Sequence, residues 1–305
     1  MQYFKLGNNE VSRIIQGCMR IGNKTDKEID ELVNVAYESG INFFDHADIY
    51  GRGSCEEVFG RFLDRNPGFR DKIFIQTKCG IKPGVSYDFS YDHIINAVEG
   101  SLKRLKTDHI DYLLLHRPDA LMEPEEIAHA FMKLKSEGKV IHFGVSNQHP
   151  MQIELIKKNL GGIPLIINQL QLSIAQCPMI DFGFNVNMVN DFSASRENGI
   201  VEYCRLNDIT IQPWSPFQYG FIEGSFIGNE KYAALNDKLD EIASKYGVTS
   251  TGMAITWLLK HPAKMQPVIG TTTPARIKEV CHASDVEITH DEWYELYKAG
   301  GKRLP

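Results

Sequence analysis

Eight short runs rich in β-branched and aliphatic residues recur along this chain, at residues 12–17, 41–44, 72–77, 110–115, 140–145, 164–168, 209–214 and 267–269. Segments of helical period separate them. Between the first two runs, Ile29, Leu32, Val33, Ala36 and Tyr37 fall at i, i+3, i+4, i+7 and i+8, which places one apolar stripe on a helix. Thr25 with Glu28 reads as a capping box at its start, and Gly40 stops it. Ile94, Val98, Leu102 and Leu105 make a second such stripe, and Ile127, Phe131 and Leu134 a third that ends at Gly138. Pro150 and Pro274 stand where a proline suits the first turn of a helix. Strand and helix signals in this alternation predict βαβ units and a parallel sheet.

Eight such units in 305 residues fit a closed (β/α)8 TIM barrel, an α/β fold, as a single domain over 1–305. An open doubly wound sheet is the competing architecture. It usually carries a G-x-G-x-x-G turn after its first strand, whereas "IIQGCMRIG" has Gly17 and Gly22 without that spacing. No 20 to 50 residue repeat and no Pro/Gly-rich linker divides the chain.

Composition narrows the partners. With 43% hydrophobic and 24% charged residues and a formal net charge of -6, the chain lacks the concentrated basic face that nucleic acid binding demands. No window approaches the roughly 18 apolar residues of a membrane span, and the N-terminus lacks signal-peptide character. The expected setting is cytoplasmic, with no membrane partner, and nothing in the sequence marks the oligomeric state. Six scattered cysteines without C-x-x-C spacing read as reduced structural residues.

In a barrel of this kind the catalytic side chains stand at the C-terminal ends of the strands, which share one face. Asp45 follows the second run, with Tyr50 a few residues on. Lys78 follows the third and His116 the fourth. Ser146 and Asn147 follow the fifth, Gln169 the sixth, Trp214 and Ser215 the seventh, and "GTTTPARI" the eighth. An ammonium held between a carboxylate and a phenol favours the phenolate, which would lower a tyrosine from its usual value of about 10 and fit it for proton transfer.

"GINFFDHADIYG", "TKCG", "LLLHRPD", "GVSN" and "GTTTPARI", in this order, resemble the aldo-keto reductase family, and "DHADIYG", "HRPDALM" and "HFGVSN" its bacterial oxidoreductase branch. The resemblance implies a metal-free, NADP(H)-dependent oxidoreductase that reduces aldehydes or ketones of small-molecule substrates to alcohols. It assigns the family tetrad to Asp45, Tyr50, Lys78 and His116, with Tyr50 as proton donor, Lys78 and Asp45 tuning it, and His116 orienting the carbonyl. It places the nicotinamide amide on Ser146, Asn147 and Gln169, a stacking ring at Trp214 and a phosphate-side contact at Ser215. Thr271, Thr272 and Arg276 fall where the family grips the adenosine 2'-phosphate. A helix N-terminus with hydroxyls and an arginine suits an anion on its own terms. Many family members have a lysine just before the first hydroxyl residue; this chain has Gly270.

Other residues carry lesser expectations. His46 and Asp48 read as structural hydrogen-bonding groups, His142 as a barrel-wall residue, and Trp257 and Trp293 as helix packing. Met19, Phe89, Tyr219 and Phe221 are candidates to line an apolar substrate pocket. Residues 173–192 read as a loop over the mouth and 218–232 as a lid. Two rival functions are metal-assisted hydrolysis, with "DHAD" and His116 as ligands, and an NADP(H)-binding sensor. Lys78 is a costly neighbour for a cation, and a sensor has no need of a tuned tyrosine.

Overall fold

The computed structural model describes residues 1–185, 188, 191, 199–220 and 223–302. The eight barrel strands are β1 (Ile15–Gly17), β2 (Phe43–Asp45), β3 (Phe74–Cys79), β4 (Ile110–Leu115), β5 (Val140–Ser146), β6 (Leu165–Gln171), β7 (Thr210–Trp214) and β8 (Val268–Ile269). Each pairs in parallel with the next, and β8 closes on β1 through Val268 opposite Ile15 and Ile269 opposite Gln16. The closed (β/α)8 barrel expected from the alternation is therefore present.

The strand sequences show why. A strand of such a barrel is covered by helices outside and by side chains inside, so it reads as apolar throughout. All six residues of β4, IDYLLL, are buried. Two apolar cores result. The larger packs strands against the outer helices, and Ile29, Leu32, Val33 and Ala36 of helix α1 (Asp26–Glu38) belong to it. The smaller fills the lower lumen with Ile15, Phe43, Tyr112, Leu114, Ile167 and Val268.

The Thr25–Glu28 capping box forms at the start of α1, and Gly40 follows its end in the left-handed region at φ 92°. Trp257 and Trp293 stack at 4.8 Å, and each indole N–H donates to the other's backbone carbonyl. His142 lies within β5, stacked at 5.1 Å on Tyr112. All six cysteines are buried and free.

Several expectations shift. The first run was expected to start at Ser12, but Ser12 ends a hairpin (Tyr3–Leu6 with Asn9–Ser12) that closes the N-terminal end of the barrel. Leu6 and Val11 of that hairpin join the lower lumen core, so local apolarity alone did not separate plug from wall. Four strands, β2, β3, β5 and β6, also run further toward their C-terminal ends than the apolar runs suggested. Asp45, Lys78, Ser146 and Gln169 are thereby strand residues rather than the first loop residues. Parallel pairing explains the extension, because Asp45 pairs with Gly17 and Gln76, and Lys78 with Leu114.

Candidate active site

Asp45, the last residue of β2, and Lys78, the fifth of β3, are both buried at the C-terminal end of the barrel. Side chains alternate along a strand, so Gln76 and Lys78 share the inward face of β3 while Thr77 points outward. The Lys78 ammonium donates to both Asp45 oxygens, at 2.7 and 2.8 Å, to the His46 carbonyl at 2.8 Å and to the Tyr50 hydroxyl at 3.1 Å. Its charge also lies 4.9 Å from the centroid of the Tyr50 ring. Both carboxylate oxygens of Asp45 are thus engaged by the ammonium.

Tyr50 reaches this point from a tight turn, Tyr50–Gly53, ahead of helix α2 (Ser54–Arg65). Gly51 in that turn has φ 58°, and a Cβ there would come within 2.3 Å of the Ser54 hydroxyl. Glycine therefore permits the close turn that returns the tyrosine to the mouth. His116, directly after β4, meets the Tyr50 ring edge-on with centroids 5.9 Å apart. The four residues expected from three consecutive strand ends thus converge on one spot.

Electrostatics give each of them a protonation state. Burial raises the Tyr50 hydroxyl above its usual value, Lys78 pulls it down, Asp45 pushes it up, and the net direction is upward. The expected lowering of the tyrosine is corrected accordingly, because desolvation of a phenolate in this setting outweighs one neighbouring ammonium. Burial works against the Lys78 charge, but Asp45 and Tyr50 overcome it and the net shift is upward. His116 is held well below the ordinary histidine value by burial, then by Lys78 and Arg117. The resting site at neutral pH therefore contains a protonated tyrosine, a charged lysine and a neutral histidine.

Beside this cluster, Ser146 donates to the Gln169 carbonyl at 2.9 Å and accepts from the Asn147 amide at 2.7 Å. Trp214 donates its indole N–H to Asn147 Oδ1 at 3.2 Å. Asn147 and Ser215 both lie in the left-handed region, at φ 58° and 51°. The Gln169 amide nitrogen is turned inward, to Asp45 at 3.1 Å and Gln212 at 3.2 Å. Arg117 stands over the Trp214 ring at 5.5 Å.

The residues after β8 form a different environment. Gly270 and Arg276 are exposed, and Thr271 and Thr272 are half-buried. Thr271 Oγ1 accepts from the Thr273 N–H at 3.2 Å, just before helix α3 (Pro274–Ala283).

Some expected roles change. His46 is buried with neither ring nitrogen hydrogen-bonded among the described residues. It packs edge-on against Phe59 at 4.6 Å, and burial lowers it to about 3. Its structural part is played by packing and by its backbone, which accepts from Lys78. Asp48 Oδ1 is likewise buried without a partner among the described residues, and burial, reinforced by Glu56, raises its carboxyl to about 7. Phe89 is fully buried in the outer core and lines no pocket. Tyr219 packs on Tyr232 at 5.1 Å, whereas Met19 is 51% exposed. Phe221, Phe192 and parts of 173–192 and 218–232 lie outside the described residues.

Sequence reasoning missed the residues behind the site. Gln76 and Gln212 bond to each other at 2.9 Å, and Gln76 to Asp45 at 2.6 Å. Glu56, fully buried, accepts from Thr77 at 2.6 Å and from Arg104 at 2.8 Å. The available signal was the inward period-2 face of the strands, Gln76 with Lys78 and Gln212 with Trp214.

A closed parallel barrel thus carries a paired lysine, aspartate and tyrosine at its C-terminal mouth. Comparison with known proteins gives the family. The aldo/keto reductase family model matches residues 13–300, and the chain belongs to that family. It is 34% identical to the uncharacterized oxidoreductase YcsN of Bacillus subtilis, over 98% of both chains. It is also 34% identical to the 6-dehydroglucose reductase of Agrobacterium fabrum, over 94% of both. A thermostable aldo-keto reductase crystallised with the inhibitor epalrestat shares the fold, with a TM-score of 0.75 and 24% identity over 98% of this chain and 100% of that one. The protein is thus an oxidoreductase of a family that acts on small-molecule carbonyl compounds with nicotinamide cofactors. Among the described residues, no helix is long and apolar enough to cross a membrane.

Proposed function

We propose that this protein is an NADP(H)-dependent carbonyl reductase in which Tyr50 donates the proton, working as one domain over 1–305 in the cytoplasm. The observation that carries the reading is the Lys78 ammonium, bonded at once to the Asp45 carboxylate and the Tyr50 hydroxyl. A bound nicotinamide supplies the hydride. Tyr50, kept protonated by burial, gives its proton to the carbonyl oxygen as negative charge develops there. Lys78 stabilises the phenolate left behind, and Asp45 holds Lys78 in place. His116, neutral and edge-on to Tyr50, orients the carbonyl oxygen.

The residues at the mouth fit the cofactor's amide. Both N–H groups of Gln169 are spent on Asp45 and Gln212, which leaves its Oε1 as the acceptor for an incoming amide N–H. Ser146 and Asn147 each retain acceptor capacity beside it. Trp214 offers a partly exposed ring, and Ser215 follows at the phosphate side. Thr271, Thr272 and Arg276 at the start of α3 suit a 2'-phosphate, with Gly270 leaving open space there.

A small, hydroxylated aldehyde is the substrate class this reading favours. Two of the relatives are 6-dehydroglucose reductases. A cavity of about 390 Å³ beside Trp214 is lined by the polar Arg117, Gln148, Gln152 and Gln171, which suit hydroxyls, together with the apolar Leu170 and Met179. Six buried free cysteines suit a reducing compartment.

The test follows NADPH absorbance with a panel of aldehydes, sugar-derived ones included, for the wild type and Tyr50→Phe. We expect chelator-resistant turnover, and a loss of roughly 10²- to 10⁴-fold in kcat for the variant. Equal rates in the two proteins would remove Tyr50 as the acid.

A further inference from the structure

Beneath the candidate site an unbroken line of side-chain amides crosses the barrel from its floor. Gln266 donates to the Ser12 backbone carbonyl at 2.8 Å, and its Oε1 accepts from Gln212 at 3.0 Å. Gln212 Oε1 in turn accepts from Gln76 at 2.9 Å and from Gln169 at 3.2 Å. Gln76 and Gln169 then donate to the same carboxylate oxygen, Asp45 Oδ1, at 2.6 and 3.1 Å. All four glutamines are buried.

The line has a direction, and its direction is set at one end. A backbone carbonyl can only accept, so Gln266 must turn its NH2 toward Ser12 and its oxygen toward Gln212. Gln212 must then offer its own NH2 to Gln266 and its oxygen to Gln76 and Gln169. Those two have no choice but to present N–H groups upward. Reversing Gln76 would set its oxygen against both Gln212 Oε1 and Asp45 Oδ1. The orientation leaves Gln76 Oε1 buried without a partner among the described residues, an unfavourable feature that calls for a reason.

We propose that Gln76 is a positioning residue, which delivers an N–H fixed by the amide line to Asp45 Oδ1 and so holds the carboxylate against Lys78 beneath Tyr50. The proposal rests on the reading of Asp45, Lys78 and Tyr50 as the proton-transfer group. Asp45 Oδ1 receives three donors, Gln76, Lys78 and Gln169, and the contact from Gln76 is the shortest at 2.6 Å. Without it the carboxylate can rotate away from the ammonium, and Lys78 loses its fixed place under the hydroxyl. Hydrogen bonds to a charged group in a low-dielectric interior have large effects on the group they orient.

Gln76→Leu, assayed in the whole chain with NADPH and an aldehyde that the wild type reduces, should lower kcat roughly tenfold or more. Its Kd for NADPH, read by quenching of protein fluorescence, should stay within about twofold, because the residue reaches no cofactor contact. In an Asp45→Asn background the same substitution should cost less than about twofold, since its effect passes through the carboxylate. Wild-type kcat in Gln76→Leu overturns the proposal, and so does an equal loss in both backgrounds, which marks simple packing. If Gln76→Leu does not fold, Gln76→Met, of the same length without the amide, carries the same expectations. Loss of activity in Tyr50→Phe with none in Gln76→Leu defeats this proposal alone. An active Tyr50→Phe, or a wild type that reduces no aldehyde, defeats the reading of the site and this proposal with it.

Discussion

The proposed cofactor groove has two ends built in opposite ways. At the barrel mouth, Asp45 and Lys78 are sealed from solvent, and the lysine alone makes four hydrogen bonds at 2.7–3.1 Å. At the start of α3, Gly270 and Arg276 are exposed, and the Arg276 side chain has no ion pair or hydrogen bond among the described residues. Charges in a buried, rigid setting interact strongly and need no reorganisation during reaction, whereas exposed charges are screened. Under the proposed function, the difference predicts a division of labour: the buried end should govern the rate of the chemical step, and the exposed end affinity for the cofactor's phosphate.

The largest effect should come from the buried end. Lys78→Met removes the ammonium while keeping most of the side chain's bulk, and kcat should fall roughly 10²- to 10⁴-fold. The lysine is the influence that pulls Tyr50 downward against burial. In its absence the tyrosine rises further, so residual activity should persist to higher pH than in the wild type. A downward shift of the alkaline limit would contradict this assignment of Lys78.

Next in size is Arg276→Ala, which should raise KM for NADPH about tenfold, leave kcat nearly unchanged, and alter KM for NADH less than about twofold. The effect should fade in high salt because the site is exposed. The converse change, Gly270→Lys, is sterically free, since a Cβ there meets nothing within 4 Å. It should lower KM for NADPH by roughly threefold. Equal responses to NADPH and NADH would break the contrast between the two ends.

The smallest effect concerns stability. Asp48 has its carboxyl raised to about 7 by burial, then by Glu56, with Arg104 opposing. A raised carboxyl favours the folded state below the unfolded value of about 4, and that contribution is lost as pH climbs through about 7. Above pH 7 the folded protein must bury an ionised group that the unfolded chain hydrates. Asp48→Asn should therefore stabilise the protein by about 1–2 kcal/mol at pH 8 and by little at pH 4. Thermal melts at the two pH values decide it; a uniform loss of Tm would show that the carboxylate is satisfied at high pH.

The stretch "FFDHADIYGRG" shows how far the sequence could be read. Asp45 and Tyr50 were legible because they share strand-end positions with Lys78 and His116, and the barrel brings those ends together. His46 and Asp48 looked equally polar, yet both ring nitrogens of His46 and Oδ1 of Asp48 lie buried without a hydrogen bond among the described residues. Burial decides their states, reinforced by Lys78 at His46 and by Glu56 at Asp48. Phe89 failed as a pocket residue for a related reason: aromaticity in a loop does not reveal which way the ring turns. The plug hairpin escaped detection because Tyr3–Leu6 and Asn9–Ser12 are short and mixed in polarity, and only the contact of Leu6 and Val11 with the lower lumen core reveals their place.

By itself the sequence determined the count of eight strands, their alternation with helices, and the chemical types standing at the strand ends. Those features are local, written in apolar periodicity and in the residue that follows each run. The tertiary structure alone decided that Tyr50 is raised rather than lowered, because burial is a sum over neighbours from distant segments. It also decided that Gln76, Gln169, Gln212 and Gln266 speak to one another across the lumen, since closure of the barrel sets strands far apart in sequence within hydrogen-bonding distance.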